Sequence, residues 1–261
     1  MPELAQPWPS ALDQTPVNAR VTPRDDAMRT ALAAFLDLVL DGVEPCVLTE
    51  LVSESVAVDI LCFPPTEVAP VWTFVTSGMS DLPMAVPGWS DYPPYAELMI
   101  CLDWNWPIGA DLFASEAAFW PIRLLRTLAR YPHTTGAVLA PGQTFTQVEL
   151  ADDDESDSEA EPADSVSRPR PLSPGLPFTG VLLGVPLLLS DKEDPHIIPA
   201  EDDGRALQIL TILPLHPAEL DLARRRGVTA LTDAFARMAR ARPDDEITEH
   251  FNPHRPDATD F

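Results

Sequence analysis

Two β-branched runs, each cut off by backbone-breaking residues, constrain this chain more than any other feature. Residues 56–63 read Val-Ala-Val-Asp-Ile-Leu-Cys-Phe and stop at Pro64-Pro65, because proline has no amide to give to a strand ladder. Residues 71–76 form a second run, which passes into the small polar turn Ser77-Gly78-Met79-Ser80-Asp81. A further run, 46–52, lies just ahead of Ser53-Glu54-Ser55, so that 46–52 and 56–63 have the pattern of a hairpin. Residues 96–102 supply a fourth strand. Between the third and fourth, Gly78, Asp81, Pro83, Pro87, Gly88, Pro93 and Pro94 forbid regular structure over some twenty residues, and an ordered loop of that length is more often functional than accidental.

The remaining elements follow from periodicity and caps. Thr22-Pro23-Arg24-Asp25 offers a capping hydroxyl, a proline at the first helical position and an acid three residues past the cap. The helix it starts reaches about Leu40, with Met28, Leu32, Phe35, Leu36 and Val39 as its apolar stripe and Gly42 as its stop. A second helix is expected over 115–130, carrying Phe119, Ile122, Leu125 and Leu128, with Pro121 in or at its first turn. Strands are expected at 143–150, 178–189 and 206–213, then helices at 217–226 and 229–240 divided by Gly227. Helix, strands, helix, strands, helices predicts an α+β fold: a mixed β-sheet with helices packed on its faces, in a single main domain over 22–241. Residues 1–21, Pro-rich and aperiodic, read as a flexible N-terminal segment, and 242–261 as a C-terminal tail.

Residues 149–177 differ sharply from their neighbours. Their first half holds nine acids and no base, and their second half is Arg-Pro-Arg-Pro-Leu-Ser-Pro-Gly-Leu-Pro. Neither half buries enough apolar surface to offset the entropy of ordering it, which predicts a disordered insertion between two strands.

At 261 residues and 45% apolar composition the chain can bury a sizeable core. Its apolar stretches fall short of the roughly 18–20 residues that a membrane span needs. Its first residues lack the basic start and apolar core of a secretory signal, so the expected compartment is the cytoplasm. Cys46, Cys62 and Cys101 lie in apolar strand segments without metal-ligand spacing, and are expected to be reduced, buried thiols. The net charge of -24, from 41 acids against 17 bases, argues against nucleic-acid binding, which needs basic patches to neutralise phosphates.

Several local patterns, taken in order, resemble the suppressor-of-fused domain family in its bacterial type. They are Val58-Asp59-Ile60 with Pro64-Pro65-Thr66, Trp72-Thr73 with Thr76-Ser77-Gly78-Met79-Ser80, and Ala96-Glu97-Leu98-Met99. Trp120-Pro121-Ile122 with Leu125 and Leu128-Ala129-Arg130, Gly142-Gln143-Thr144, and Pro214-Leu215 with Glu219-Leu220 complete the likeness over roughly residues 30–235. The resemblance implies a non-enzymatic domain that holds a protein partner, with no cofactor. Bacterial relatives are commonly inferred to be immunity proteins that neutralise a toxin. A basic toxin domain would suit the acidic charge, since complementary charge speeds encounter.

Thr76, Ser77, Gly78, Met79, Ser80 and Asp81 form a compact cluster at a strand end, open to a role as turn builders or as partner contacts. Trp89, Tyr92 and Tyr95, followed by Trp104 and Trp106, crowd the loop-rich stretch, open to a role as caps on the core or as partner contacts, the latter because Trp and Tyr dominate binding hot spots. Asp59, the lone acid in its strand, is read with Pro64, Pro65 and Thr66 as structural. It either faces solvent by strand alternation or bonds to the 76–80 turn. A nucleophile elbow would need a second glycine after Ser80, where Leu82 stands. His250 and His254 are four apart, but Pro253 breaks the helix that would aim both at a metal. Two alternatives stay open: a regulatory scaffold working through the acidic, Pro-rich insertion, and an enzyme of unrecognised type using Asp59, Ser80, Asp81 or His133.

Overall fold

The computed structural model describes residues 22–51, 56–67, 69–88, 92–150, 170–186, 197–200, 204–242 and 250–261. The expectations for 1–21, for Trp89, for most of the acidic insertion (151–169) and for 243–249 lie outside the described residues.

Among the described residues, nine strands join in one mixed sheet: β1 (Cys46–Leu48), β2 (Asp59–Phe63), β3 (Trp72–Ser77), β4 (Tyr95–Leu102), β5 (Thr144–Thr146), β6 (Gly180–Gly184), β7 (Ile197–Pro199), β8 (Ala206–Leu215) and β9 (His250–Phe251). Four α-helices accompany them: α1 (Asp26–Val39), α2 (Glu116–Thr135), α3 (Pro217–Arg226) and α4 (Val228–Ala241). The sheet runs β1-β2-β3-β4-β8-β6-β5, with β7 beside the start of β8. β1 to β4 form an antiparallel meander, and the expected hairpin sets Cys46 opposite Cys62. β4 and β8 are parallel, with Tyr95 opposite Leu207 and Met99 opposite Thr211. β8 then diverges towards β6, and β9 takes the vacated edge of β4 at Cys101 and Leu102.

Strand side chains alternate between faces, and each face has its own helix. Met28, Leu32, Leu36 and Leu40 at α1 cover Phe63, Val75, Met99, Cys101, Leu207 and Ile209. On the opposite face Trp120, Ile122, Leu125 and Leu128 of α2 pack on Ile60, Cys62, Phe74, Leu98, Ile100, Leu210 and Ile212. α3 and α4 cover the far end, where Leu220, Ala223 and Leu231 meet Leu182 and Leu215. Gly180 permits this approach, because a Cβ there would sit 2.8 Å from a Leu220 methyl and 2.7 Å from the Phe145 carbonyl oxygen. The α+β expectation therefore holds. No helix among the described residues is long and apolar enough to cross a membrane.

Several boundaries move. The cap of α1 is Asp25, whose side chain accepts from the Met28 amide at 3.2 Å, and not Thr22. Asp25 is the residue held in place: Arg205 pairs with its carboxylate, and its own amide donates to Asp81 Oδ1 at 2.9 Å. α2 runs through both Pro121 and Pro132 to Thr135 and ends at Gly136, in the left-handed region at φ 73°. Both prolines are buried, and packing of an apolar face outweighs the local cost of an interior proline.

At both ends of the disordered insertion expected over 149–177, the described residues are ordered. Glu149 is held by Arg224 and by the Thr146 amide, and Leu150 is buried. At the other end the Leu172 amide donates to the Phe178 carbonyl at 2.9 Å, and Leu172, Leu176 and Phe178 join the main core. A composition average hid those apolar side chains among prolines. The C-terminal tail is corrected too: Phe251 and Ala258 are buried, and β9 is a member of the sheet.

Candidate functional site

A charged cluster lies where α1 crosses the ends of β2, β3 and β4. Asp59 on β2 stands directly opposite Ser77 on β3, on the face that α1 covers. Arg29, one turn into α1, donates to Asp81 Oδ1 and Oδ2 at 3.1 and 2.8 Å, to Asp59 Oδ2 at 3.3 Å and to Ser77 Oγ at 3.3 Å. Arg24 adds a second contact to Asp59 at 3.3 Å. The opposite oxygen of Asp59 accepts the Glu50 amide at 3.0 Å. Burial works to lower the Arg29 pKa, but Asp81, Asp59 and Glu97 together hold it above its ordinary value. Its positive charge is therefore fixed.

Glu97 organises the turn after β3. Fully buried, its Oε1 accepts from the Gly78 and Ser80 amides at 2.9 and 3.1 Å and from Ser80 Oγ at 2.6 Å. Its Oε2 accepts from Thr76 Oγ1 at 2.5 Å, and that hydroxyl in turn accepts the Leu98 amide at 2.8 Å. Burial pushes the Glu97 pKa above the ordinary carboxylate value, and the four donors pull it part of the way back. Gly78 sits at φ 136°, where a Cβ would lie 2.1 Å from the Ala57 carbonyl oxygen and 2.8 Å from the Arg29 guanidinium. Only glycine lets the turn close over the cluster. His133 on α2 donates from Nε2 to the Met79 carbonyl at 3.1 Å, and burial lowers its imidazole pKa.

A second ionic knot ties α2 to the hairpin. Arg126 donates to the Val58 and Leu48 carbonyls at 3.2 and 3.1 Å, and Arg130 pairs with Glu50, whose other oxygen accepts the Val58 amide at 2.9 Å. Both faces of the β1–β2 end are thus fastened by arginines.

The structure sorts the expected site residues into two groups. Thr76, Ser77, Met79 and Ser80 are buried, and the Asp81 side chain is only 2% exposed. Turned inwards, they build the turn, and their side chains lie beneath the surface. Asp59 is likewise 4% exposed, so the solvent-facing alternative is corrected: alternation placed it on a face that α1 covers. Pro64 and Pro65 follow the last pair of β2, and Thr66 closes a turn with Ala69 through its amide and hydroxyl at 2.8 and 2.9 Å. Tyr92 stays 39% exposed, and half-buried Tyr95 carries the Arg205 guanidinium 5.2 Å above its ring. Trp106 packs edge-on against Trp120 and Phe251, whereas Trp104 is exposed.

Glu97, Arg29 and Glu50 were not foreseen as functional positions. Glu97 carries the signal that singled out Asp59, a lone acid within an apolar strand. No set of three or more His, Cys, Asp or Glu among the described residues is placed to hold a metal ion. Ser80 and Glu97 resemble a hydroxyl and its base, but both are fully buried beneath the turn they build.

Fold and interior together define an α+β sheet domain whose central polar cluster serves architecture. The chain belongs to the suppressor of fused protein (SUFU) family, whose model matches residues 54–256. No curated protein matches the sequence. Solved structures share the fold at low identity. A SUFU homolog from Neisseria gonorrhoeae is 13% identical with a TM-score of 0.55, over 88% of this chain and 96% of that one. The Sufu-Fu complex crystal structure is 14% identical with a TM-score of 0.57, over 89% and 93%. Drosophila Suppressor of Fused is 14% identical with a TM-score of 0.51, over 80% of this chain and 46% of its own length.

Proposed function

We propose that this chain is a non-enzymatic protein-binding module that neutralises its partner, a basic bacterial toxin domain, by covering it. Family membership carries the reading, together with the likeness to a chain of the Sufu-Fu complex crystal structure. The cluster of Arg29, Asp59, Ser77, Asp81 and Glu97 supports it, because each group is spent on holding turn, helix and sheet together. A rigid surface of that kind suits binding, which loses least when the interface is already ordered.

Charge narrows the choice of face. Arg24, Arg29, Arg123, Arg126, Arg130, Arg205 and Arg255 are all engaged by carboxylates. Arg226, Arg237 and Arg240, exposed on α3 and α4, take part in none of the ion pairs among the described residues. A basic partner is repelled there and steered to the acidic remainder. The β3–β4 loop side is the favoured contact, where Tyr92 is exposed and Tyr95 half-buried.

Capture with the purified chain from its native cell tests this reading. The expected result is one basic protein whose expression alone arrests growth and whose toxicity co-expression of this chain relieves. A captured protein that is harmless, or an arrest that persists on co-expression, overturns toxin neutralisation.

A further inference from the structure

The sheet edge opposite α3 carries two thiols in register. Cys46 of β1 stands directly across the antiparallel pair from Cys62 of β2. Directly opposed residues hold their Cα atoms about 4.5 or about 5.5 Å apart, depending on whether the pair exchanges hydrogen bonds. Both spacings fall within the window of about 4.4–6.8 Å across which protein disulfides form. Opposed residues also project to the same face, and here both belong to the α2 side: Cys62 is buried in the main core and Cys46 packs partly buried against it. The thiols are near enough for charge on Cys46 to oppose ionisation of Cys62, adding to the larger effect of burial. β1 is three residues long and ends the sheet, so Cys46 is reached from solvent while Cys62 is not.

We propose that Cys46 and Cys62 form a reversible dithiol–disulfide pair, oxidised by low-molecular-weight disulfides, that fastens edge strand β1 to the sheet. The Cys46 thiolate attacks one sulfur of the small disulfide, whose S–S bond breaks; one half is joined to Cys46 and the other leaves as a thiolate and takes up a proton. Cys62 then loses its proton to solvent and attacks Cys46 Sγ, expelling the second half as a thiol. Two protein thiols are oxidised and one small disulfide is reduced to two thiols. Burial keeps the Cys62 thiol largely protonated, which makes the second step the slower one. Cys101 is an internal control: it is buried on the opposite, α1-covered face, beside Thr73.

The pair lies next to the ionic knot of the hairpin. The closed loop would contain Glu50, which accepts the Val58 amide and pairs with Arg130, so oxidation locks a strand that otherwise depends on that knot. Buried cysteines acting only as apolar filler would leave all three thiols free.

The test incubates the native full chain with excess oxidised glutathione, quenches it with N-ethylmaleimide and measures intact mass and a peptide map. The expected product has lost two of its three thiols, keeps no glutathione, joins Cys46 to Cys62 and reverts with dithiothreitol. Cys62→Ser should instead retain glutathione on Cys46, and Cys101→Ser should behave as the wild type. Three free thiols, a lasting adduct on wild-type Cys46, or a bridge to Cys101 or to a second chain overturns the proposal. The oxidised wild type should also unfold at higher urea than the reduced form, and a lower midpoint overturns the fastening role.

Discussion

Arg255 meets Glu219 in a two-pronged ion pair, with contacts of 2.5 and 2.7 Å, although the residues lie 36 positions apart. Glu219 is fully buried at the third position of α3, where it also accepts the amides of His216 at 2.9 Å and Ala258 at 2.8 Å. Arg255 donates to the Pro214 carbonyl and lies over the rings of Phe178 and Phe235. One carboxylate thus caps a helix and anchors the C-terminal segment. Arg255→Met leaves that carboxylate buried without its counter-charge, and losing one partner of a buried pair costs about 3–5 kcal/mol. Pairing it with Glu219→Gln should recover part of the loss, and a urea-unfolding double-mutant cycle measures the coupling.

Gly78 offers a steric test of the turn. Gly78→Ala drives a methyl to 2.1 Å from the Ala57 carbonyl oxygen at a φ of 136°, so backbone must move and the Glu97 contacts open with it. Strained backbone of this kind costs about 1–3 kcal/mol before the clash is added. Gly109→Ala is the control, because its φ is also positive, at 70°, but nothing lies within 4 Å of the new methyl. Chemical denaturation should show the Gly78 variant much the weaker of the two.

Two titratable groups near this turn, buried Glu97 and half-buried His133, act in opposite senses on stability. Burial lowers the His133 imidazole below its ordinary 6.5, so on acidification the unfolded chain takes up a proton that the folded chain resists. Its contribution is present above pH 6.5 and is lost as pH falls through the window below. Glu97 is raised above 4.5 by burial, so its contribution is full below that pH and is lost as pH rises through its folded value. Between pH 7 and 5, His133→Gln should therefore lose stability on acidification more slowly than the wild type, and Glu97→Gln more quickly. Urea midpoints across that range read both slopes, and parallel slopes for all three proteins would sink the assignment.

How legible each part was depends on how far apart its partners lie in sequence. α3 could be read to the residue, because Pro217 starts it, Glu219 completes its cap and Gly227 stops it within eleven positions. The first four strands were legible from their proline and glycine boundaries, but only the hairpin of the first two was read as a pair; the antiparallel pairings of β2 with β3 and β3 with β4 come from the structure. The role of Glu97 was not legible, since its donors come from Gly78 and Ser80, 19 and 17 residues earlier. Asp59 shows the limit of alternation, which separates two faces but cannot say that α1 and its Arg29 will cover one of them. β9 is two residues long, and only the gap left by β8 beside β4 makes it a strand. Composition likewise reported a tail where Phe251 packs edge-on against Trp106, Trp120 and Phe178.

The ordered residues on either side of the acidic stretch set the limits of a deletion that leaves the described core intact. A deletion confined to 151–169, bridged by a short Gly-Ser linker, spares the Arg224 to Glu149 contact and the buried Leu172. Loop closure depends only weakly on loop length, so the variant's unfolding free energy from urea titration should match the wild type's to within about 1 kcal/mol. It also separates two modes of action. If the folded face holds the partner, affinity at high salt should be unchanged, while association at low salt slows because acidic residues that steer a basic partner have gone. If instead the stretch itself is the working part of a scaffold, binding should vanish at every ionic strength. Surface plasmon resonance from low to about 0.5 M salt, where the screening length shrinks to ~4 Å, distinguishes a changed on-rate from a lost complex.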